Sequence, residues 1–102
     1  MMRVSAGIVR YPDGRILICR RGEGRKNAHL WEFPGGKQEA GESPEDALRR
    51  ELLEELSLPI ADVSPLCRRE AQGIAFDFLT AAATRAPVLT LSLIHISEPT
   101  RP

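Results

Sequence analysis

The residues GKQEAGESPEDALRRELLEELSL, at positions 36–58, decide the fold of this 102-residue chain. They combine a glycine turn, an acidic loop and a helix that carries clustered glutamates. Half of the chain's 14 acidic residues lie in this window: Glu39, Glu42, Glu45, Asp46, Glu51, Glu54 and Glu55. Because carboxylate oxygens are hard ligands, this local excess indicates a site for a hard divalent cation.

The helix in this segment has clear start signals. Ser43 suits the N-cap and Pro44 suits the first helical position. Acidic side chains follow in the first turn, where they stabilise the positive end of the helix dipole. The apolar stripe predicted to face the core recurs every four residues, at Leu48, Leu52 and Leu56.

The opposite arc of the helix is acidic. At about 100° per residue, Glu51, Glu54 and Glu55 fall within a sector of roughly 100°. Such like charges repel one another, and either a cation or an arginine would offset the repulsion. Two interpretations therefore stay open at this point: a cation site, or a solvated face on which Arg49 and Arg50 form salt bridges.

Composition limits the other possibilities. A chain of 102 residues with 42% hydrophobic and 27% charged residues predicts one small globular domain. The balance of 14 basic and 14 acidic residues argues against a nucleic-acid or membrane-surface binder. We see no signal peptide and no apolar run of membrane-spanning length. Cys19 and Cys67 lie outside any CxxC pair, which favours reduced thiols in a cytoplasmic protein.

The N-terminal third predicts a β-hairpin followed by a loop. Residues 4–10 and 15–20 are β-rich, and the turn-forming residues 11–14 join them. The polar loop 21–29 carries Arg21, Arg25 and Lys26, which either lie in solvent or contact phosphate. Residues 30–33 predict a strand that stops at a bend at Pro34, Gly35 and Gly36.

The part after residue 58 predicts further strands. Pro59 and Pro65 should break the chain and frame a loop, and residues 66–71 and 74–82 then read as two strands on either side of Gly73. In the second of these strands, Ile74, Phe76 and Phe78 alternate with smaller or polar residues, which is typical of a half-buried strand.

The segment at 36–58 resembles the Nudix box, G-x5-E-x7-R-E-U-x-E-E-x-G-U, in which U is aliphatic. The matching positions are Gly36, Glu42, Arg50, Glu51, Leu52, Glu54, Glu55 and Leu58. Ser57 departs from the pattern, which has glycine at that position. Upstream, the residues WEFPGGK at 31–37 look like the MutT-type subgroup, whose members include enzymes that hydrolyse oxidised dGTP. The resemblance implies an α/β fold, the Nudix α/β/α sandwich with a mixed β-sheet, here incomplete on its C-terminal side.

The resemblance also implies a mechanism. Mg²⁺ or Mn²⁺ would be held by Glu51, Glu54, Glu55 and the carbonyl of Gly35, and would assist attack by water on a phosphorus atom. Arg50 would hold the glutamates, and Glu42 would support either the loop or a further metal ion. The residues that would contact the nucleotide are Arg21, Lys26, Phe33, Pro34, Gly35 and Gly36.

The expected activity is hydrolysis of a nucleoside triphosphate to a monophosphate and pyrophosphate. Two alternatives stay open. The substrate could be another nucleoside diphosphate derivative, such as ADP-ribose or a dinucleoside polyphosphate, or the domain could bind a nucleotide without catalysis.

The C-terminal segment does not continue the pattern. Residues 91–101, LSLIHISEPTR, resemble the translation of a transposon-type sequencing adapter. We therefore expect an incomplete Nudix domain at residues 1–90 and a non-native tail at residues 91–102. The alternative is a genuine strand at residues 88–96 with a polar tail.

Overall fold

The computed structural model describes residues 1–20, 31–85 and 93–97 of the chain. The elements found there are β1 (Met2–Arg10), β2 (Ile16–Arg20), β3 (Trp31–Glu32), β4 (Gly35–Lys37), α1 (Pro44–Leu56), β5 (Ile60–Ala71), β6 (Ile74–Ala83) and β7 (Leu93–Ser97). In this part of the chain no helix has the length and apolar character needed to cross a membrane.

The strands form one mixed sheet, as the sequence predicts. Its order is β3-β2-β1-β6-β5, with β4 paired to β1 and β7 paired to β2. β1 runs parallel to β6 along its whole length. Its other edge is shared, because Arg10 pairs with Ile16 of β2 while residues 4–6 pair with β4. β1 therefore lies at the centre of the fold and holds the glycine segment at 35–37 against the sheet.

The hairpin turn between β1 and β2 is confirmed. The amide of Gly14 donates to the carbonyl oxygen of Tyr11 over 2.8 Å. One carboxylate oxygen of Asp13 accepts from the amide of Arg15 at 3.0 Å, which is the local side-chain bond expected of aspartate in a turn. Gly14 has a φ of +89°, where a side chain would be strained.

The bend predicted at Pro34, Gly35 and Gly36 is confirmed at Pro34, but the prediction is wrong for Gly35 and Gly36. These residues instead form β4, antiparallel to β1, and the preceding strand β3 is only two residues long. Gly35 has a φ of +151°, and a Cβ atom there would lie 1.9 Å from the carbonyl oxygen of Ser5. Gly35 is thus needed for close approach between two strands, which local turn propensity does not reveal.

The loop predicted between Pro59 and Pro65 is also wrong, because β5 runs without interruption from Ile60 to Ala71. β5 lies at one end of the strand order, and its register with β6 shifts between Pro65 and Cys67. An edge strand with a bulge tolerates proline because a ladder hydrogen bond is not required from that residue.

Helix α1 forms as predicted. The hydroxyl of Ser43 accepts a hydrogen bond from the amide of Asp46 at 3.1 Å, and Pro44 occupies the first turn. The helix ends at Ser57, which takes up the left-handed conformation at φ 51° and ψ 37°. The buried core shared by the helix and the sheet contains Val9, Tyr11, Leu17, Leu48, Leu52, Leu56, Leu58 and Leu79. Of the expected sandwich, the described residues show the sheet and one helix.

β7 falls within the C-terminal segment, where it pairs antiparallel with β2. The sequence left a strand open at residues 88–96, and the observed strand is Leu93–Ser97. Backbone pairing requires only an extended segment and a free strand edge, so it does not decide the origin of residues 91–102. That they are non-native stays a prediction.

Candidate active site

Arg50 lies at the centre of a carboxylate cluster formed by Glu42, Glu51 and Glu54. Its guanidinium donates from Nε and Nη2 to the two carboxylate oxygens of Glu42, at 2.7 and 2.9 Å. Nη1 donates to Oε1 of Glu51 at 3.1 Å and to Oε1 of Glu54 at 3.0 Å. The planar fork of an arginine matches this arrangement, whereas a lysine ammonium would not.

The sequence left open whether Arg49 and Arg50 form salt bridges on a solvated face of the helix. Arg49 fits that interpretation, since its ion pair with Asp46 is long, at 3.9 Å, and both side chains are largely exposed. Arg50 does not fit it, because only 22% of its side chain is exposed and it forms ion pairs with four carboxylates, three of which also accept hydrogen bonds from it. The Arg50 cluster is therefore part of the packed structure and not a set of solvated surface ion pairs.

Glu42 accepts more hydrogen bonds from the described residues than Glu51 or Glu54 does in this cluster. Besides its two bonds from Arg50, its Oε1 accepts from the amide of Glu39 at 2.9 Å, and its side chain is 14% exposed. The hydrogen bond from Arg50, followed by that from the Glu39 amide, lowers the pKa of Glu42 to about 2. Glu42 in turn holds the pKa of the Arg50 guanidinium above its usual value. Both groups therefore stay charged at neutral pH.

Strand β4 meets the cluster directly. Nη2 of Arg50 also donates to the carbonyl oxygen of Lys37 at 3.0 Å. Gly36 lies so close to Glu51 that a Cβ atom would stand 2.4 Å from the carboxylate carbon. Glycine at this position thus gives the Glu51 carboxylate its place beside the backbone of β4.

A cleft of about 480 Å³ opens next to the cluster. Its wall includes four residues that the sequence predicts to contact a nucleotide: Phe33, Pro34, Gly35 and Gly36. Glu55 also lines the cleft, so the three predicted metal-binding glutamates divide, with Glu51 and Glu54 bound to Arg50 and Glu55 facing the cleft. A cleft of this volume is within the usual range for small-molecule sites.

Several wall residues were not predicted as site residues. They come from β1, β2 and β6 and include Val4, Ala6, Cys19, Ile74, Phe76 and Phe78. The alternation along β6 was the available signal: Ile74, Phe76 and Phe78 face the cleft, whereas Ala75 and Leu79 are buried on the opposite face. The rings of Phe76 and Phe78 stack with centroids 6.1 Å apart.

Cys19 lines the cleft together with two acidic residues, Glu32 and Glu55. Burial raises the pKa of its thiol to about 11, with the charges of Glu32 and Glu55 adding to the effect. The cleft therefore combines apolar and aromatic surface with carboxylates at one side.

Comparison with known proteins identifies the family. A family model described as the NUDIX domain matches residues 1–87. The chain belongs to the Nudix family. It is similar to an 8-oxo-dGTP diphosphatase of Haemophilus influenzae, with 50% identity over 58 residues, which are 57% of this chain and 43% of that enzyme. It is also similar to a CTP pyrophosphohydrolase of Escherichia coli, with 48% identity over 57% of this chain and 42% of that enzyme.

A solved MutT structure, from work on the Aliivibrio salmonicida and Vibrio cholerae proteins, has the same fold. It superposes with a TM-score of 0.84 and 31% identity, over 95% of this chain and 79% of that chain. The sequence matches to the two curated enzymes span less than half of their lengths. The Nudix fold and family are thus established, with the box residues at the Arg50 cluster.

The two aliphatic residues of the Nudix box pack in the interior. Leu52 and Leu58 are buried in the core, and Leu52 also reaches the wall of the cleft. Arg21 and Lys26, predicted to contact the nucleotide, lie outside the described residues. Their role stays a prediction.

The donor chemistry of the Nudix site fits a divalent cation. In the part of the chain that the structure describes, no three His, Cys, Asp or Glu side chains converge closely enough to hold an ion by themselves. The hydrogen bonds from Arg50 use one oxygen of Glu51 and one of Glu54. Mg²⁺ commonly binds one or two carboxylates and completes its shell with water and substrate phosphates, so these hard oxygen donors suit it.

Proposed function

We propose that this chain is a Mg²⁺-dependent nucleoside triphosphate pyrophosphohydrolase of the MutT type. It would hydrolyse a substrate such as 8-oxo-dGTP to the monophosphate and pyrophosphate. The observation that carries the proposal is the Arg50 cluster beside β4, because Gly36 and Lys37 contact the cluster and also line the cleft. Acidic groups are thereby placed at the edge of a cavity of nucleotide size.

The apolar part of the cleft would hold the base. Phe33 is 41% exposed at the cleft, so its ring has a face available for stacking. Phe76 and Phe78 supply further aromatic surface deeper on β6. Flat aromatic faces bind any base by stacking, and this part of the site therefore favours nucleotides as a class.

The acidic part would hold the phosphates through a cation. Glu51, Glu54, Glu55 and the carbonyl of Gly35 would hold Mg²⁺ or Mn²⁺. When bound, the ion supplies positive charge that offsets the phosphate charge and favours deprotonation of the attacking water. Without a cation, the carboxylates and a polyphosphate repel each other. We therefore expect productive phosphate binding only with the metal present.

Arg50 would act on the carboxylates rather than on the substrate. Its hydrogen bonds to Glu51 and Glu54 engage one oxygen of each carboxylate. Glu42 anchors Arg50 from the other side. This arrangement keeps the two carboxylates in place before the substrate arrives, which is the preorganisation that phosphoryl transfer requires.

The relatives leave the base open. One is an 8-oxo-dGTP diphosphatase and another a CTP pyrophosphohydrolase, which favours a pyrimidine triphosphate as the second candidate substrate. We also propose that the protein removes oxidised nucleotides from the nucleotide pool. Because that pool lies in the cytoplasm, we propose a cytoplasmic location.

The test is pyrophosphate release from a panel of nucleoside triphosphates, including 8-oxo-dGTP and CTP, with ADP-ribose assayed for phosphate products. Each is measured with and without Mg²⁺ on the full chain, Glu54→Gln and Glu70→Gln. Glu70 is an exposed carboxylate on β5 and provides a matched change away from the site. We expect Mg²⁺-dependent release that falls about 100-fold in Glu54→Gln and is unchanged in Glu70→Gln.

Circular dichroism on the same samples separates loss of activity from loss of fold. A folded chain that binds nucleotide and releases no product from any substrate would contradict the proposal and favour a nucleotide-binding module. Equal losses in the two variants would contradict the role of Glu54.

A further inference from the structure

Asp77 is an acidic residue on the buried face of β6. It stands between Ala75 and Leu79, both buried, and its side chain is only 11% exposed. A buried carboxylate costs free energy unless donors satisfy it. The Nudix box does not include this residue, so its placement in the core requires another explanation.

Two hydrogen-bond donors and one further positive charge surround the Asp77 carboxylate. Gln38 Nε2 donates to Oδ2 at 2.7 Å and Arg68 Nε donates to Oδ1 at 2.8 Å. Arg3 adds an ion pair, with Nη2 lying 3.6 Å from Oδ2. Burial alone would raise the pKa of Asp77, but the hydrogen bonds from Arg68 and Gln38 and the two arginine charges outweigh it and lower the pKa.

The sheet register explains how these groups meet. Asp77 pairs with Ser5 of β1 on one side and with Arg68 of β5 on the other, so the three residues form one row across three strands. Gln38 follows β4 and reaches into this row, where its Nε2 also lies 3.2 Å from the hydroxyl oxygen of Ser5. That hydroxyl donates to the carbonyl of Pro44, at the start of α1, over 2.9 Å.

Gln38 connects the row to the active site. Its amide donates to the carbonyl of Arg3 over 2.8 Å, which fixes the backbone just after β4. The preceding residue is Lys37, whose carbonyl accepts from Arg50, and before it is Gly36, which lies against Glu51. A shift of Gln38 would therefore move both contacts between β4 and the Arg50 cluster.

We propose that Asp77 is a positioning residue for the hydrolytic site. It holds Gln38, and through the backbone of residues 36–38 it sets where Lys37 and Gly36 meet Arg50 and Glu51. The kinetic consequence rests on the function proposed above, whereas the structural consequence for Arg50 does not. Since a well-packed apolar residue often stabilises a core as well as a buried ion pair does, the value of Asp77 lies in the geometry it fixes.

The experiment compares Asp77→Asn, Gln38→Ala and Asp62→Asn in the full chain. Gln38→Ala removes the link to β4 and leaves Asp77 with Arg68 and Arg3. Asp62 is exposed on β5 and adopts a φ of 53°, which asparagine tolerates, so it controls for the charge change. The readouts are kcat and KM for the preferred triphosphate, and the NMR signals of the Arg50 guanidinium N–H groups with their rates of hydrogen exchange, because Nη2 of this group donates to the Lys37 carbonyl.

We expect kcat to fall about 10-fold in Asp77→Asn and in Gln38→Ala, with KM within about twofold of the unmodified chain. The Arg50 guanidinium signals, those of Nη2 above all, should shift and exchange faster in both variants. Asp62→Asn should match the unmodified chain in every readout. These results together would support a role that acts through Arg50.

Two results would overturn the proposal. The first is a Gln38→Ala variant with unchanged kcat and an unchanged Arg50 signal, because Asp77 would then only stabilise the sheet. The second is an Arg50 signal that is equally perturbed by Asp62→Asn. If the unmodified chain releases no pyrophosphate, the proposed function fails, and the Arg50 signal still decides whether Asp77 positions the cluster.

Discussion

At the scale of single residues, Arg50 connects the parts of the site and holds the Glu42 carboxylate in its charged form. It donates to Glu42, Glu51, Glu54 and the carbonyl of Lys37, so one guanidinium joins a loop, a helix and a strand. The bidentate bond to Glu42 is the strongest of these by geometry, since both carboxylate oxygens are engaged.

The pKa of Glu42 therefore reports on Arg50. It is lowered to about 2, with the Arg50 hydrogen bond as the largest cause. We expect Arg50→Gln to raise it toward the ordinary value of about 4.3. The measurement is a ¹³C NMR titration of the Glu42 carboxyl group, with Arg49→Gln as control. A Glu42 that titrates near its ordinary pKa in the unmodified chain would contradict the described geometry.

The sign of the stability effect follows from this lowered pKa. Glu42 stabilises the folded state at pH values above its unfolded pKa, and that contribution is lost as the pH falls toward about 2. Urea unfolding midpoints should therefore fall for the unmodified chain over this acid range, and fall less steeply for Glu42→Gln. Parallel curves for the two proteins would show that Glu42 contributes nothing there.

The third prediction at this scale concerns Gly36. In Gly36→Ala the new methyl group would stand 2.4 Å from the Glu51 carboxylate carbon, so Glu51 has to move. We expect kcat to fall about 10- to 100-fold. Gly73→Ala is the control: its Cβ meets nothing within 4 Å, but its φ of +77° is strained. That variant should lose about 1 kcal/mol of stability and keep its activity. Normal activity in Gly36→Ala would show that the Glu51 position is not critical.

At the scale of elements, helix α1 was predictable because its signals are local. The capping bond of Ser43 and the buried leucine stripe follow from residues within one or two turns of each other. Residues 66–71 of β5 were predicted as a strand, but β4 and the first half of β5 were not predictable in the same way. Glycine and proline locally favour a bend or a loop, and pairing with β1 or with β6 at a sheet edge overrides that preference here.

The prediction at the scale of elements concerns the stability of the C-terminal end of α1. Ser57 adopts the left-handed conformation, at φ 51°, that glycine adopts without strain. Ser57→Gly should relieve about 1 kcal/mol of strain, less the entropy that glycine adds to the unfolded chain, for a net gain of about 0.5 kcal/mol. Ser64→Gly, within β5, should instead destabilise by about 0.5–1 kcal/mol. Urea unfolding of both variants tests this, and equal losses would contradict the capping role of Ser57.

At the scale of the whole molecule, the sequence predicted that Arg50 lies together with Glu51 and Glu54, but not most of the cleft beside them. Glu51, Glu54 and Arg50 lie within five residues of one another, so spacing alone brings them together. The cleft joins Val4 and Phe76, which are far apart in the chain and become neighbours only through the parallel pairing of β1 and β6. The row at Asp77 depends on the same register. Long-range pairing is thus the part that a single sequence does not reveal.

Binding of Mg²⁺ and a nucleotide, at the metal side and the aromatic side of the cleft, should stabilise the whole fold. A ligand that binds only the folded state at 100 times its Kd stabilises it by about 2.7 kcal/mol, which is roughly 10 °C or more in melting temperature for a domain of this size. We expect that gain from Mg²⁺ together with a non-hydrolysable nucleoside triphosphate, and much less from either one alone, because the carboxylates of the Arg50 cluster repel phosphates that lack a cation. Glu54→Gln should reduce the joint effect, whereas Glu70→Gln should leave it intact. A full shift from the nucleotide without Mg²⁺ would show that the chain binds phosphates by another route, and would contradict the proposed division of the cleft into an aromatic side and a metal side.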